Sequence, residues 1–383
     1  MGSTNEYVGY MSELRGLRIV IAGGGTGGHL YPGIAVAREI VSRRPDAQIS
    51  FVGTSKGIEA RAVPLAGFPL DLIRSGGIKG KSIVARGRGA ALLPVSLADA
   101  WGVVSRRRPH LVIGVGGYSS GPVVLVAALR SVPTLLLEQN AVPGLTNRML
   151  APFASAAAVT FESTKTFFGS KAFVSGNPVR PEFLEAVGSR TESDPDDQAS
   201  SARVLVFGGS QGAHAINMAM VEAAEELAAH APRLRLTHQT GERDVEMDRA
   251  AYRKARLEAD VAPFFDDMGR QLGRADLIVC RAGATTLAEI TAAGKAAILI
   301  PLPTATDDHQ RKNAEALVAA GAAAILVQSE LTGRTLAQRV LTLAIDRAAR
   351  TRMSAAARTM ARPDAARMIV DRVFELVDAR ARV

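Results

Sequence analysis

The sequence holds a single cysteine, Cys280, in 383 residues, and aromatic residues make up only 5% of it. One thiol excludes a disulfide framework and a cysteine metal knuckle. Its place in the apolar run Leu-Ile-Val-Cys at 277–280 reads as a reduced core residue. The six histidines show no metal-ligand spacing, so neither a metal nor another cofactor is expected. Aromatics this sparse, with none interleaved among the basic residues, weigh against a nucleic-acid surface. Long apolar runs are missing too. The most apolar stretch, 123–137, is broken by Arg130 and Pro133 and is too short to span a bilayer. Residues 1–16 carry Glu6 and Glu13 and no apolar core, so a secretory signal is not expected. The protein reads as cytosolic or peripheral.

Acidic residues are scarce in one region. Between 74 and 108 eight basic residues (Arg74, Lys79, Lys81, Arg86, Arg88, Arg106, Arg107 and Arg108) face one acid, Asp99, in a chain of formal charge +9. An anionic membrane or an anionic substrate explains that bias better than nucleic acid does.

What the chain has in quantity is glycine at turns. Gly23-Gly24-Gly25-Thr26-Gly27-Gly28-His29 follows the apolar run 18–22, and Gly208-Gly209-Ser210-Gln211-Gly212-Ala213-His214 follows 203–207. Each copy precedes a helical pattern, 34–41 in the first case and 216–227 in the second. A buried parallel strand feeding a glycine turn and a helix offers free N–H groups and a positive helix end to an anion. A third cluster, 114–122, follows the strand pattern at 111–113. In a parallel sheet the loops after 22 and 113 would share one edge and form one cradle. Strand patterns recur at 18–22, 48–52, 111–115, 134–137 and 157–159. After the polar, acidic segment 192–201 they resume at 203–207, 234–238, 277–280, 297–301 and 323–327. This alternation with helical patterns predicts two parallel, doubly covered sheets. A last helix, about 365–379, carries Met368, Ile369, Val373, Phe374 and Val377 at helical spacing, after a break at Pro363.

Gly23-x-Gly25-x-x-Gly28 matches the dinucleotide fingerprint, but the strand 49–52 ends in Gly-Thr-Ser-Lys without the acid that would hold a ribose. The second domain lacks that acid as well, so a nicotinamide dehydrogenase is disfavoured. His29 opens a helix whose positive end disfavours a charged ring, leaving the imidazole able to accept a proton; the plainer alternative is local capping. Glu289, one turn into the helix after Arg281-Ala282-Gly283, suits a pair of ribose hydroxyls. The polar run 306–313, with Gln310, suits a sugar; helix capping by Asp307 or Asp308 is its plainer alternative.

Taken in order, Gly-Gly-Thr-Gly-Gly-His at 24–29, Gly-Gly-Tyr-x-Ser-Gly-Pro at 116–122, Glu-Gln-Asn at 138–140, Gly-Asn-Pro-Val-Arg at 176–180, Gly-Gly-Ser-Gln-Gly-Ala at 208–213, the run 281–289 and Asp-Asp-His-Gln-Arg-Lys-Asn at 307–313 form a specific set. Across about residues 17–378 the chain resembles the GT-B glycosyltransferases that add N-acetylglucosamine to the lipid-linked muramyl-pentapeptide of peptidoglycan synthesis. The resemblance implies an α/β GT-B fold, two Rossmann-like domains whose parallel sheets face each other across a cleft. Residues 1–179 would form the acceptor- and membrane-binding domain and 180–363 the UDP-N-acetylglucosamine domain, with 364–383 packing back on the first. It implies that Thr26, Gly27 and Gly28 line the site and that Asn140 and Arg180 contact the UDP-sugar. Ser210 would bind the donor phosphates and Phe265 the uracil, largely through backbone. Ala284, Thr285, Thr286, Leu287, Ala288 and Glu289 would hold diphosphate and ribose, and Gln310 the sugar hydroxyls. His29 is the expected base, the alternative being that it only positions the acceptor hydroxyl.

The implied partners are UDP-N-acetylglucosamine, a polyprenyl-diphosphate-linked muramyl-pentapeptide, an anionic membrane surface and a cell-wall synthesis complex serving cell shape and division. The implied location is peripheral, on the cytoplasmic face of the inner membrane. Ile78, Lys79, Lys81, Ile83, Arg86 and Arg88 are the expected docking residues. Two alternatives stand beside this reading, a UDP-N-acetylglucosamine 2-epimerase of related fold and a non-catalytic membrane or nucleic-acid adaptor.

Overall fold

The computed structural model describes residues 16–76, 92–180, 183–185, 201–209, 212–230 and 233–382. These fall into two compact units. One takes in the described residues of Met1–Gln139, Pro143–Pro178 and Asp364–Val383, the other those of Asn140–Val142 and Val179–Pro363.

The first unit is built on seven parallel strands: β1 (Arg18–Gly23), β2 (Gln48–Gly53), β3 (Leu70–Leu72), β4 (Leu111–Gly116), β5 (Thr134–Glu138), β6 (Ala156–Val159) and β7 (Ala172–Val174). Their order is β3-β2-β1-β4-β5-β6-β7. The helices between them are α1 (Gly27–Arg43), α2 (Glu59–Leu65), α3 (Leu93–Arg107), α4 (Ser120–Leu129), α5 (Leu145–Leu150) and α6 (Glu162–Phe168). The apolar strand sequences are buried on both faces. Ile19, Ile21, Ile113 and Phe51 pack with Ile34 and Ile40 on one side, while Val20, Ala22 and Val112 pack with Val103 and Val124 on the other. Such double burial is why these strands read as continuous apolar runs instead of alternating ones. The chain starts in mid-sheet, builds outward to β3, then returns to β4 on the other side of β1. Loops leaving β1 and β4 therefore diverge at a switch point, the place where open α/β sheets bind ligands.

The second unit repeats the plan with six strands: β8 (Ala202–Phe207), β9 (Leu234–Gln239), β10 (Ala259–Ala262), β11 (Leu277–Cys280), β12 (Ala296–Leu299) and β13 (Ala324–Ile325). All pair in parallel, in the order β10-β9-β8-β11-β12-β13, so the switch point lies between β8 and β11. Its helices are α7 (His214–Ala228), α8 (Val245–Ala255), α9 (Met268–Arg274), α10 (Ala284–Ala293), α11 (His309–Ala319), α12 (Gly333–Ile345) and α13 (Arg347–Met360). Cys280 is buried in β11, and burial pushes its thiol well above the usual range, as suits a packing residue.

The last helix, α14 (Ala365–Ala381), belongs to the first unit. Ile369, Val373 and Val377, four residues apart, line one helix face and enter the same apolar cluster as Leu30 and Ile40 of α1. Arg43 of α1 reinforces the contact, with Nη2 2.7 Å from Asp371 Oδ1 and its guanidinium 5.0 Å from the Phe374 ring centroid. Strands β3, β7 and β10 have no counterpart among the sequence-predicted strands, and β13 is two residues long where 323–327 was expected. Runs of two to four residues at or near a sheet edge are too short to show a period.

A polar knot is buried inside the second unit. Asn217 Nδ2 donates to Thr240 O at 2.8 Å and to Asp244 Oδ2 at 2.9 Å, leaving its Oδ1 to face His238 Nε2 at 3.2 Å. Tyr252 Oη lies 2.7 Å from His238 Nδ1. Asp248, fully buried on α8, has no hydrogen-bond partner among the described residues for either carboxyl oxygen, and His238 Nδ1 is 3.6 Å away. Burial, helped by the charge of Asp244, pushes Asp248 up to about 7. A carboxyl whose folded value is raised binds its proton more tightly when folded, so its contribution declines as pH climbs from about 4 to about 7. Asp248→Asn is expected to remove that decline. The variant should gain roughly 2–4 kcal/mol over wild type at pH 8, shrinking toward zero near pH 4. Urea unfolding of both proteins across this range is the check; a variant less stable than wild type at pH 8 would show that the carboxylate is paired.

Candidate functional site

In the first unit the loop after β1 is pinned from beneath. Glu59, at the start of α2 and 1% exposed, accepts from Gly25 N at 2.8 Å, Thr54 N at 2.9 Å and Thr54 Oγ1 at 2.9 Å. Burial alone would raise its carboxyl, but these N–H donors overcome that and hold it below the usual range. Gly24 sits at φ +149°, and a Cβ there would lie 2.5 Å from Glu59 Oε2, so the loop needs glycine to ride over this carboxylate. Gly24 N also donates to Gly116 O at 3.3 Å, joining the β1 and β4 loops at the sheet edge. The sequence suggested a loop of free N–H donors. Instead the Gly24 and Gly25 donors are spent internally, and those of Thr26 and Gly27 remain, beside the positive end of α1.

His29, in the first turn of α1, is half-buried. Its Nδ1 is 3.1 Å from Gln139 Oε1, and Gln139 Nε2 donates to Val115 O at 3.1 Å. Gly116, at φ +93°, makes room for the ring: a Cβ there would stand 2.9 Å from His29 Nδ1.

In the second unit the loops after β8, β9, β11 and β12 are stapled by carboxamides. Gln310 Oε1 accepts from Ala282 N at 3.2 Å and Leu302 N at 3.0 Å, which joins the exits of β11 and β12. Its carboxamide therefore presents Nε2, a donor, to any ligand. Gln239 accepts from Phe265 N at 3.0 Å and donates to Gly209 O at 3.1 Å. With its N–H occupied, Phe265 has its carbonyl left for a base. Asn313, fully buried, accepts from Ala141 N at 2.8 Å and donates to Asn140 Oδ1 at 3.1 Å. It thereby ties 140–142 to α11.

Glu289 on α10 is 8% exposed, and its Oε1 is 3.3 Å from Arg180 Nη2. Burial raises its carboxyl, and the Arg180 guanidinium pulls it back down. Gly283 is the N-cap of α10, so the N–H groups of Ala284, Thr285 and Thr286 open toward the strand ends. Leu287 and Ala284 are buried; Thr285, Thr286 and Ala288 are half-buried. Arg281 turns inward and donates to Ile300 O at 3.1 Å and Pro301 O at 3.3 Å.

Of the expected site residues, the structure gathers Thr26, Gly27, Gly28 and His29 at the switch point of the first unit. Asn140, Arg180, Phe265, 284–289 and Gln310 gather at the strand ends of the second. Ser210 lies outside the described residues, as do Ile78, Lys79, Lys81, Ile83, Arg86 and Arg88. Sequence reasoning missed Glu59 and Gln239 as organisers, and it took Gln139 and Asn313 only as parts of motifs. None carries a local signal, because each acts on a loop brought to it by the sheet.

Two all-parallel α/β units, each with a helix end at its switch point, are the architecture of the GT-B class. No group of metal-ligating side chains occurs among the described residues. The glycosyltransferase family 28 N-terminal domain matches residues 19–159 and the family 28 C-terminal domain residues 203–369. The chain belongs to glycosyltransferase family 28. A curated relative from Pelobacter propionicus, 50% identical over 94% of this chain and 99% of its own, is a UDP-N-acetylglucosamine--N-acetylmuramyl-(pentapeptide) pyrophosphoryl-undecaprenol N-acetylglucosamine transferase. The crystal structure of Acinetobacter baumannii MurG superposes with a TM-score of 0.78 at 33% identity, over 94% of this chain and 99% of that one. A UDP-GlcNAc 2-epimerase from Neisseria meningitidis shares the fold at TM-score 0.66 but only 12% identity, covering 94% of this chain and 99% of its own. The chain is a glycosyltransferase, and the epimerase alternative is disfavoured.

Proposed function

We propose that the chain moves N-acetylglucosamine from UDP-N-acetylglucosamine to the 4-hydroxyl of a muramyl-pentapeptide carried on undecaprenyl diphosphate, with inversion at the anomeric carbon. The near full-length identity to the Pelobacter transferase carries this reading. The first unit supplies acceptor and base, the second donor and leaving-group stabilisation. The acceptor hydroxyl gives its proton to His29 while its oxygen attacks the anomeric carbon. The bond to UDP breaks on the opposite face, and its electron pair leaves on the diphosphate. The N–H groups opening α10 and the guanidinium of Arg180 stabilise that charge. Glu289 accepts from ribose hydroxyls and Gln310 donates to the sugar. Incubation with UDP-N-acetylglucosamine and a short-chain lipid acceptor should yield a disaccharide lipid. A manno-configured UDP-sugar formed without acceptor would indicate an epimerase, and no product an adaptor.

We further propose peripheral attachment to the cytoplasmic face of the membrane. Among the described residues no helix is long and apolar enough to cross a bilayer. Three of the eight basic residues are paired locally, Arg74 with Asp99 at 2.7 Å, and Arg106 and Arg107 with the one carboxylate of Asp71 at 3.0 and 2.7 Å. Of the other five, Lys79, Lys81, Arg86 and Arg88 are the docking set, and Leu93 and Trp101 of α3 are exposed nearby in sequence. Four such charges contribute about 4 kcal/mol near an anionic surface. Changing all four to Glu is expected to abolish most co-sedimentation with anionic liposomes; equal binding by both proteins would refute the docking role.

A further inference from the structure

We propose that Gln139 is a positioning residue that fixes the tautomer of His29. This rests on the reading of His29 as the base. Gln139 follows β5 directly and is 2% exposed. Its amide orientation is set by the backbone: the Val115 carbonyl can only accept, so the group 3.1 Å from it is Nε2. The amide oxygen then faces His29 Nδ1 at 3.1 Å, and an amide oxygen also only accepts. Nδ1 must carry the ring proton. A neutral imidazole has one N–H, so the lone pair is on Nε2, the nitrogen left to take a proton from an acceptor hydroxyl.

The free imidazole of histidine favours the opposite arrangement, with the proton on Nε2 and the lone pair on Nδ1. A base left to itself at this position would be largely in the unproductive form. Three neighbouring strands cooperate to reverse that preference: β1 launches the helix bearing His29, β4 supplies the Val115 carbonyl and β5 delivers Gln139. Gly116 keeps the path between ring and amide open. A core glutamine that only satisfies its own hydrogen bonds would need neither the histidine nor the missing side chain at 116.

The test combines ring-nitrogen NMR with kinetics. In wild-type protein labelled with ¹⁵N-histidine, the His29 resonances are expected to report a protonated Nδ1 and an unprotonated Nε2. Gln139→Met, similar in length but without an acceptor oxygen, should move the ring toward the Nε2–H form. It should lower kcat about 10–100-fold with the KM for UDP-N-acetylglucosamine nearly unchanged. Gln139→Glu restores an acceptor and should recover the Nδ1–H form, most of the kcat, and a pH–rate profile whose acidic limb is moved upward. A wild-type ring protonated on Nε2 overturns the proposal without any variant. So does a Gln139→Met protein with reduced kcat and an unchanged tautomer. Normal turnover in His29→Ala would instead remove the base reading itself, which the ring spectra do not address.

Discussion

His29→Ala is expected to lower kcat by about 10²–10⁴-fold, the range that general-base assistance supplies, while binding of UDP-N-acetylglucosamine stays within a few-fold of wild type. The split follows from where the residue sits. His29 belongs to the first unit, at the β1 loop, whereas the residues proposed to hold the donor belong to the second. Its ring hydrogen-bonds Gln139, and no donor-binding residue depends on that bond. Truncation leaves the Gln139 oxygen without its partner and opens a small polar space that water fills, so the fold should survive at a cost of about 1–3 kcal/mol. Calorimetric titration with UDP-N-acetylglucosamine, together with single-turnover rates at saturating acceptor, separates the two effects. A kcat near that of wild type would leave the nucleophile to lose its proton to water and would end the role of His29. A large loss of donor affinity with unchanged turnover would move His29 from base to donor ligand.

The central strands and the glycine turns that follow them were legible in the sequence because they rest on short-range signals. An apolar run, a glycine turn and a helical period are each local, and their recurrence 185 residues apart, at Gly23 and Gly208, marks two copies of one unit. The groups that organise those loops were not legible. Glu59 is an unremarkable helix-start glutamate in the sequence, and it becomes the anchor of the β1 loop only because β2 runs beside β1 and ends just before Thr54. The same holds for Gln239 and Asn313, whose partners are 26 to 173 residues away along the chain. The β1 loop therefore has fewer open donors than the sequence suggested: a glycine loop advertises its N–H groups, but not the carboxylate that occupies Gly25 or the carbonyl that occupies Gly24. Gln310 shows the reverse case. The polar run after β12 singled it out in the sequence, while its hydrogen-bonding sense follows only from the two backbone donors that occupy its oxygen.

Glu289→Ala is expected to raise the KM for UDP-N-acetylglucosamine by roughly 10–100-fold, with a much smaller effect on the KM for the lipid acceptor. Two charge-assisted hydrogen bonds to vicinal ribose hydroxyls, at about 1.5–3 kcal/mol each before offsets, set that scale. The carboxylate is costly to keep in this place. It is 8% exposed, and burial raises its carboxyl toward the protonated form, with Arg180 opposing that shift. A helix glutamate on a solvated face would need no such partner. Removing it also releases the Arg180 guanidinium, 3.3 Å away, which the proposed mechanism uses on the leaving diphosphate, so kcat should fall as well. Glu289→Gln distinguishes the two contributions: it keeps one acceptor for the ribose but no charge for Arg180, so it should recover part of the KM and little of the kcat. Arg180→Ala should share the kcat loss. Steady-state rates with each substrate varied separately make the comparison, and an effect of Glu289→Ala confined to the lipid acceptor would overturn the assignment of α10 to the donor.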